Sequence, residues 1–294
     1  MRAARLHEIG GIPRVDEIPE PAGDELLEVL VAGLNPVDIT IGNGRFHTGA
    51  PDVPYVIGTE VVATKGDGRR YWYYDRGTMA ELIAPVLPGR VIPVPEGVPD
   101  DLAIACGVAG LTGWLAVTWR APVGPDDTVL VLGASGSLGR TVIEGAKLLG
   151  ARTVGAARRA SAVTSAADEV VEITGHESYP DATVIVDGLW GDPFARALPA
   201  AAPGVRVVQL GQSAGAESTL QSGWVRGKNA TILGISMFRV PDEVLADGYR
   251  TLTEHARDGR IGFEIEHYPL DEIGEAWIRQ ASGSPGAKIV IDVA

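Results

Sequence analysis

The sequence predicts an α/β chain in which a doubly wound parallel sheet is joined to a β-rich companion domain. Three observations predict it. An apolar run at residues 129–132 leads into a turn with glycines at 133, 136 and 139, and then into a helical pattern that reaches Leu149. From Thr128 to about Gly262, apolar strand-like runs alternate with helical segments, as in a parallel sheet with crossovers. Residues 1 to about 116 hold strand-like runs punctuated by Gly, Pro and Asp.

Along the first part, residues 26–31, 56–63 and 79–84 read as strands. Residues 102–120 form a long apolar, partly helical stretch, closed by 121–127, whose two prolines stop regular structure. In the second part the strands are 129–132, 153–157, 169–173, 183–187, 205–210 and 231–236. Residues 242–257 read as the last helix of that part and 271–280 as another. The apolar run 288–292 is expected to return to the first part, because a β-rich lobe is left needing a partner. This reading sets one domain at 1–117 plus 264–294 and the other at 118–263.

Each glycine of the turn has a physical task. Gly133 allows the sharp exit from the strand, Gly136 lets the backbone approach a ligand, and Gly139 lets the helix pack closely on the sheet. Leu138, Val142, Ile143, Ala146 and Leu149 recur at helical spacing and form the predicted buried face. A strand, a turn and a helix so arranged form a dinucleotide site. Gly133, Ala134, Ser135, Gly136, Ser137, Leu138 and Gly139 are expected to cradle the pyrophosphate on free amides at the positive end of the helix. The second strand ends in Arg158 and Arg159 where a site for unphosphorylated ribose carries a carboxylate. Two guanidinium groups suit a 2′-phosphate, so NADPH is the expected cofactor; solvated loop arginines are the alternative.

Composition narrows the classes of function. A net charge of −13 argues against a polyanion such as nucleic acid as partner. The single cysteine, Cys106, excludes an intramolecular disulfide and a multi-cysteine zinc cluster, and its apolar surroundings read as those of a buried, inert thiol. The reading finds no uninterrupted apolar span approaching about 18 residues and so expects no membrane segment. The first residues lack the apolar core of a signal peptide, so a cytoplasmic location is expected.

Taken in order, Asn35-Pro-Val-Asp38, Pro54-Tyr-Val-Ile-Gly-Thr-Glu60, Gly77-Thr-Met-Ala-Glu81, Pro93-Val-Pro-Glu-Gly97, Gly110-Leu-Thr-Gly-Trp114, the glycine turn and Gly286-Ala-Lys288 span nearly the whole chain. Together they resemble the zinc-independent, quinone-oxidoreductase-like branch of the medium-chain dehydrogenase/reductase superfamily. The resemblance implies a Rossmann domain beside a GroES-like catalytic domain. It also implies a homodimer, formed by pairing the edge strand at 231–236 across a two-fold axis. The alcohol-dehydrogenase branch holds zinc near positions 35 and 59. Here an amide and a hydroxyl stand there, so no metal is expected.

The resemblance further implies a nicotinamide near Thr112, Asp187, Leu210, Gly211, Gln212 and Ser236. The small-molecule substrate would lie near Asn35, Tyr55, Tyr73 and Phe238. Asn35 is either a donor to a substrate oxygen or a loop-capping amide. Asp38 is either part of the chemistry or bonded to backbone in its own turn. His47, on a glycine-flanked loop, is a candidate proton donor. The segment 64–77 is compressed relative to the family pattern, and strand alternation within it sends Tyr71 and Tyr73 to one face and Trp72 and Tyr74 to the other. The expected activity is NADPH-dependent hydride transfer to a quinone or an enone. The alternatives are a biosynthetic reductase of enoyl thioesters or polyketide intermediates and, since no residue pattern declares a proton donor, an NADPH sensor without turnover.

Overall fold

A computed structural model describes residues 1–294 apart from Asp24, Thr164, Ser165 and Ser284. The chain forms two compact units. One comprises Met1–Ala109, Pro241–Asp258 and Phe263–Ala294; the other comprises Gly110–Val240 and Gly259–Gly262.

The first unit opens with β1 (Arg2–Leu6), β2 (Arg14–Glu17), β3 (Leu27–Leu34) and helix α1 (Pro36–Gly42). There follow β4 (Tyr55–Val56), β5 (Glu60–Thr64), β6 (Arg70–Tyr74), β7 (Leu82–Ile83), β8 (Val91–Pro93) and α2 (Asp100–Ala105). The predicted strand at 56–63 is two strands in two sheets. Gly58 takes φ +97°, a conformation open to glycine, and turns the chain from β4 into β5. The predicted strand at 79–84 shortens to β7, with Ala80 making a single bridge to Ala3. Along β6 the alternation is as read: Trp72 stacks on Tyr74 at 5.9 Å, while Tyr73 joins the buried cluster that contains Leu27, Val29 and Ile289.

The second unit begins with α3 (Leu111–Leu115) and β9 (Thr128–Leu132), followed by α4 (Ser137–Leu148), β10 (Arg152–Ala157), β11 (Glu169–Glu172) and β12 (Val184–Asp187). It continues with α5 (Gly191–Ala200), β13 (Arg206–Gln209), α6 (Ser222–Gly227) and β14 (Thr231–Gly234). Its six strands are parallel, in the order β11-β10-β9-β12-β13-β14. The apolar run of β9 is continuous because both faces are covered. Val129 and Val131 pack with Val142, Ile143 and Ala146, whereas Leu130 and Leu132 pack with Phe194 and Leu198.

The chain then returns to the first unit with α7 (Asp242–Arg257), β15 (Ile265–Pro269), α8 (Ile273–Ala281) and β16 (Lys288–Asp292). Strand β16 lies between β15 and β3, as the unpartnered β-rich lobe required. Two boundaries move. Helix α7 packs with the β-rich unit rather than the parallel sheet, because Tyr249 stacks on Trp72 at 4.8 Å and its hydroxyl donates to Ala103 O at 2.9 Å. The division near 117 moves back to Ala109/Gly110, since Trp114 lies against Gly145 of α4. A third correction concerns the apolar stretch. Asp100–Arg120 is helical on both sides of a kink at Gly107, where ψ is −131°; by length and composition alone it is apolar enough to cross a membrane, and 78% of its apolar window is buried in the protein. Residues 102–119 carry no charge, so an apolar span of about 18 residues is present where none was expected.

Candidate functional site

In the second unit the candidate site grows from the end of β9. Gly133 sits at φ +94°, and its amide and that of Ala134 both donate to Ala156 O, at 2.9 and 3.0 Å, which fixes the turn against the end of β10. A Cβ on Gly139 would lie 2.6 Å from Gly133 O and 2.7 Å from Ala134 Cα, so only glycine brings α4 this close to the turn. Gly136 caps α4 without a side-chain hydrogen bond to its first-turn amides, leaving a positive helix end suited to an anion. The turn lies at the carboxyl edge of the sheet between β9 and β12, where the strand order reverses.

Arg158 and Arg159 follow β10, the strand beside the turn, and both are exposed. Neither guanidinium meets an acceptor among the described residues, in a chain that pairs most of its arginines with carboxylates. The unit therefore holds a glycine turn that a side chain would fill and two uncommitted cations one strand away. That donor set fits a phosphorylated dinucleotide.

The other cofactor candidates of this unit fall on the same edge or near it. Asp187 ends β12 fully buried; its Oδ1 accepts from Leu189 N and Trp190 N, both at 2.9 Å, and its Oδ2 has no partner. Its carboxylate shapes the turn after β12. Leu210, Gly211 and Gln212 follow β13, and Gly211 packs on the backbone of Gly188. Ser236 caps the short turn that carries Phe238, and Thr112 is buried at the start of α3.

In the β-rich unit Asn35 and Asp38 come together, but Asn35 is not an idle donor. Its Nδ2 donates to Glu60 Oε1 at 2.8 Å and its Oδ1 accepts from Lys288 Nζ at 2.6 Å. Lys288 Nζ also donates to Glu60 Oε1 at 2.6 Å, while Glu60 Oε2 accepts from Trp72 Nε1 at 2.9 Å and Val108 N at 2.7 Å. Glu60 and Lys288 are 0% and 2% exposed. Asn35 Nδ2 also makes longer hydrogen bonds to Gly33 O and Thr59 Oγ1, at 3.4 and 3.5 Å. The amide read as a substrate donor is thus part of a buried ionic network.

Glu60 and Lys288 escaped the sequence reading as site residues. Each opens an apolar strand, a position that reads as a solvated strand end.

Asp38, third residue of α1, accepts from Asn35 N through Oδ2 at 2.7 Å, the turn-closing bond expected of it. Its Oδ1 is buried without a partner. Burial pushes its carboxyl up to about 7; the Asn35 amide and Lys288 oppose the shift and Glu60 adds to it. Asp38, Ile41, Pro51, Tyr55, Ile57 and Arg76 line a cavity of about 250 Å³. The Tyr55 hydroxyl is a second buried polar atom without a partner. Burial, with help from the Asp38 charge and against Arg76, pushes it up to about 12. Arg76 donates to Thr48 Oγ1 at 2.7 Å and lies 5.1 Å over the Phe46 ring, which meets the exposed His47 ring tilted at 44°. Tyr73 lies apart from this cavity: its hydroxyl donates to Asp75 Oδ2 and accepts from Val86 N, both at 3.2 Å.

These two buried carboxyls predict the pH dependence of stability. Asp38 rises from 3.8 to about 7 and Asp187 from 3.8 to about 6, burial being the leading cause for both. A raised folded-state value means the native protein binds the proton more tightly than the unfolded chain. Their contribution is therefore complete below pH 4 and lost as pH rises through 6 to 7. Asp168 and Glu177, held at about 2, change nothing in that window. Urea unfolding is expected to show lower stability at pH 8 than at pH 5, and Asp38→Asn to flatten the difference; a wild-type profile that rises from pH 5 to 8 would contradict the assignment.

No protein-family model matches the chain. Over 93% of its length it is 28% identical to a phenolphthiocerol/phthiocerol polyketide synthase subunit of Mycobacterium tuberculosis, spanning 14% of that protein. It is 25% identical to the quinone oxidoreductase of Mus musculus, covering 99% of this chain and 98% of that one. Among solved structures, the quinone oxidoreductase of Thermus thermophilus, also solved in complex with NADPH, superposes with a TM-score of 0.84 at 25% identity, covering 100% of both chains. In sequence and in architecture the chain is thus similar, over nearly its whole length, to the quinone-oxidoreductase-like branch of the medium-chain dehydrogenase/reductase superfamily.

Proposed function

We propose that the chain is an NADPH-dependent reductase that transfers hydride to a quinone or to the activated double bond of an enone-type small molecule. The observation that carries this reading is the pairing of the glycine turn after β9 with the free guanidinium groups of Arg158 and Arg159 after β10. The turn, from Gly133 to Gly139, would hold the pyrophosphate, and the two arginines would take the 2′-phosphate. When bound, the reduced nicotinamide supplies the hydride. Beyond binding it, the protein has to orient a substrate and exclude water.

The reaction needs no zinc: an amide at position 35 and a hydroxyl at 59 are poor ligands for it. Strand β14 ends the parallel sheet with Ile232 40% exposed, which supports a homodimer built by pairing that edge. We take the protein to be cytoplasmic, without nucleic-acid or membrane partners.

A second reading is favoured by one finding, the likeness to the polyketide synthase, which supports an enoyl thioester as substrate. A screen of NADPH oxidation across quinones, enones, aldehydes and enoyl thioesters tests both. Rates with quinones or enones well above those with thioesters are expected; the reverse order would favour the thioester reductase, and flat rates throughout would leave a nucleotide-binding protein without turnover.

A further inference from the structure

We propose that Trp190 is the platform on which the adenine ring of the dinucleotide stacks, and that the loop after β12 is built to present it. The proposal rests on the reading above only for the binding of NADPH; it needs neither hydride transfer nor a particular substrate.

Trp190 sits at φ +57°, ψ −157°, at the edge of a region essentially reserved for glycine and costly for a bulky side chain. Its neighbours impose this conformation. The amides of Leu189 and Trp190 both donate to Asp187 Oδ1 at 2.9 Å. Leu189 O accepts from Ala214 N at 2.8 Å, and Gly191 O accepts from Ser218 Oγ at 2.8 Å. Positions 188 and 191 are glycines. A loop so clamped would take glycine at 190 without strain, yet it holds an indole there. Strain kept in this way points to a task for the side chain.

One face of the indole stacks on Phe194, with centroids 4.7 Å apart and planes inclined by 13°. Among the described residues no second ring and no cation meets it, and its Nε1–H has no hydrogen-bond partner. Because that N–H lacks a partner without being sealed in the interior, the half-buried ring keeps its polar edge at the surface. Location supplies the ligand. Strand β12 lies beside β9, and a Cβ on Gly133 would meet Leu189 Cδ2 at 3.2 Å, so the loop leans on the glycine turn. On the other side of β9, β10 leads to Arg158 and Arg159. A pyrophosphate at the turn and a 2′-phosphate at the arginines leave the adenine at this carboxyl edge of the sheet, because it is bonded to the ribose carbon next to the phosphorylated one. Turn, arginines and Trp190 all belong to one unit. An uncharged aromatic base is the ligand that an indole face with no other ring on it receives by stacking.

The test uses the whole chain and titrates it with 2′,5′-ADP, which carries the adenine and the 2′-phosphate but no nicotinamide. Saturable binding that quenches tryptophan fluorescence is expected. Trp190→Leu should bind 2′,5′-ADP and NADPH roughly tenfold more weakly, whereas Trp190→Phe, which retains a ring, should bind within about threefold of wild type. Both variants should lose the quench. Trp190→Gly takes the loop's conformation without strain, so it should fold and bind as weakly as Trp190→Leu. Leu and Gly variants that bind as tightly as wild type would overturn the proposal. So would a Phe variant as weak as the Leu variant, the mark of a residue that only packs, or a quench that survives Trp190→Phe, which would put the base at another tryptophan. Wild type that does not bind 2′,5′-ADP at all would reject the nucleotide site and the platform together. The expected binding pattern with flat NADPH turnover would sink the reductase reading alone and leave the platform standing.

Discussion

Lys288→Met is expected to cost about 3–5 kcal/mol of stability, the scale seen when one partner of a buried ion pair is removed. The reason lies in what remains. Glu60 is fully buried, and without the ammonium its carboxylate keeps, among the described residues, N–H donors from Asn35, Trp72 and Val108. An isolated buried charge is far more costly than a buried pair. Removing both charges should therefore cost much less than removing one. Urea unfolding of Lys288→Met, Glu60→Gln and the double variant measures this directly. The expected result is strong non-additivity, with the double variant more stable than Lys288→Met. Additive losses would show that the two side chains are not energetically coupled.

The second large effect concerns the nucleotide. Replacing Arg158 and Arg159 together with Ala is expected to weaken NADPH binding by about 2–4 kcal/mol, roughly 30-fold to 1000-fold. The range is set by about 1.5–3 kcal/mol for each charged hydrogen bond, discounted for exposure. NADH, lacking the 2′-phosphate, should bind the double variant about as well as it binds wild type. Fluorescence titration of both nucleotides on both proteins decides it, and equal losses for NADPH and NADH would reject the assignment. The variant should fold normally, since neither guanidinium has a partner among the described residues.

Much of the fold was legible because periodicity and punctuation agree. The six parallel strands, the helix after the glycine turn and the return of β16 all follow from apolar runs bounded by Gly and Pro. What was hidden depends on contacts between residues far apart in sequence. Helix α7 looks like a continuation of the alternating β/α pattern. Only the meeting of Tyr249 with Trp72 assigns it to the other unit. The carboxyl of Asp38 was visible as a turn-former, but its bare second oxygen was not, because burial of one atom leaves no trace in spacing. Asn35 was visible as an amide near a proline. That its hydrogen bonds are taken by Glu60 and Lys288, 25 and 253 residues away, was not.

The β-rich unit is assembled from the two ends of the chain, with the parallel-sheet unit spelled out between them. During synthesis this sets an order of events. At about 5–20 residues per second, roughly 10–50 s separate the emergence of β3 from that of β16, its neighbour in the sheet. Throughout that interval one edge of β3 lacks its partner, and Glu60 lacks the cation that compensates it. The middle of the chain, whose strands pair only with one another, is under no such delay. The unit whose residues come first is thus the one completed last, and a ribosome stalled before Lys288 would hold an unpaired sheet edge on a chain whose nucleotide-binding unit is already finished.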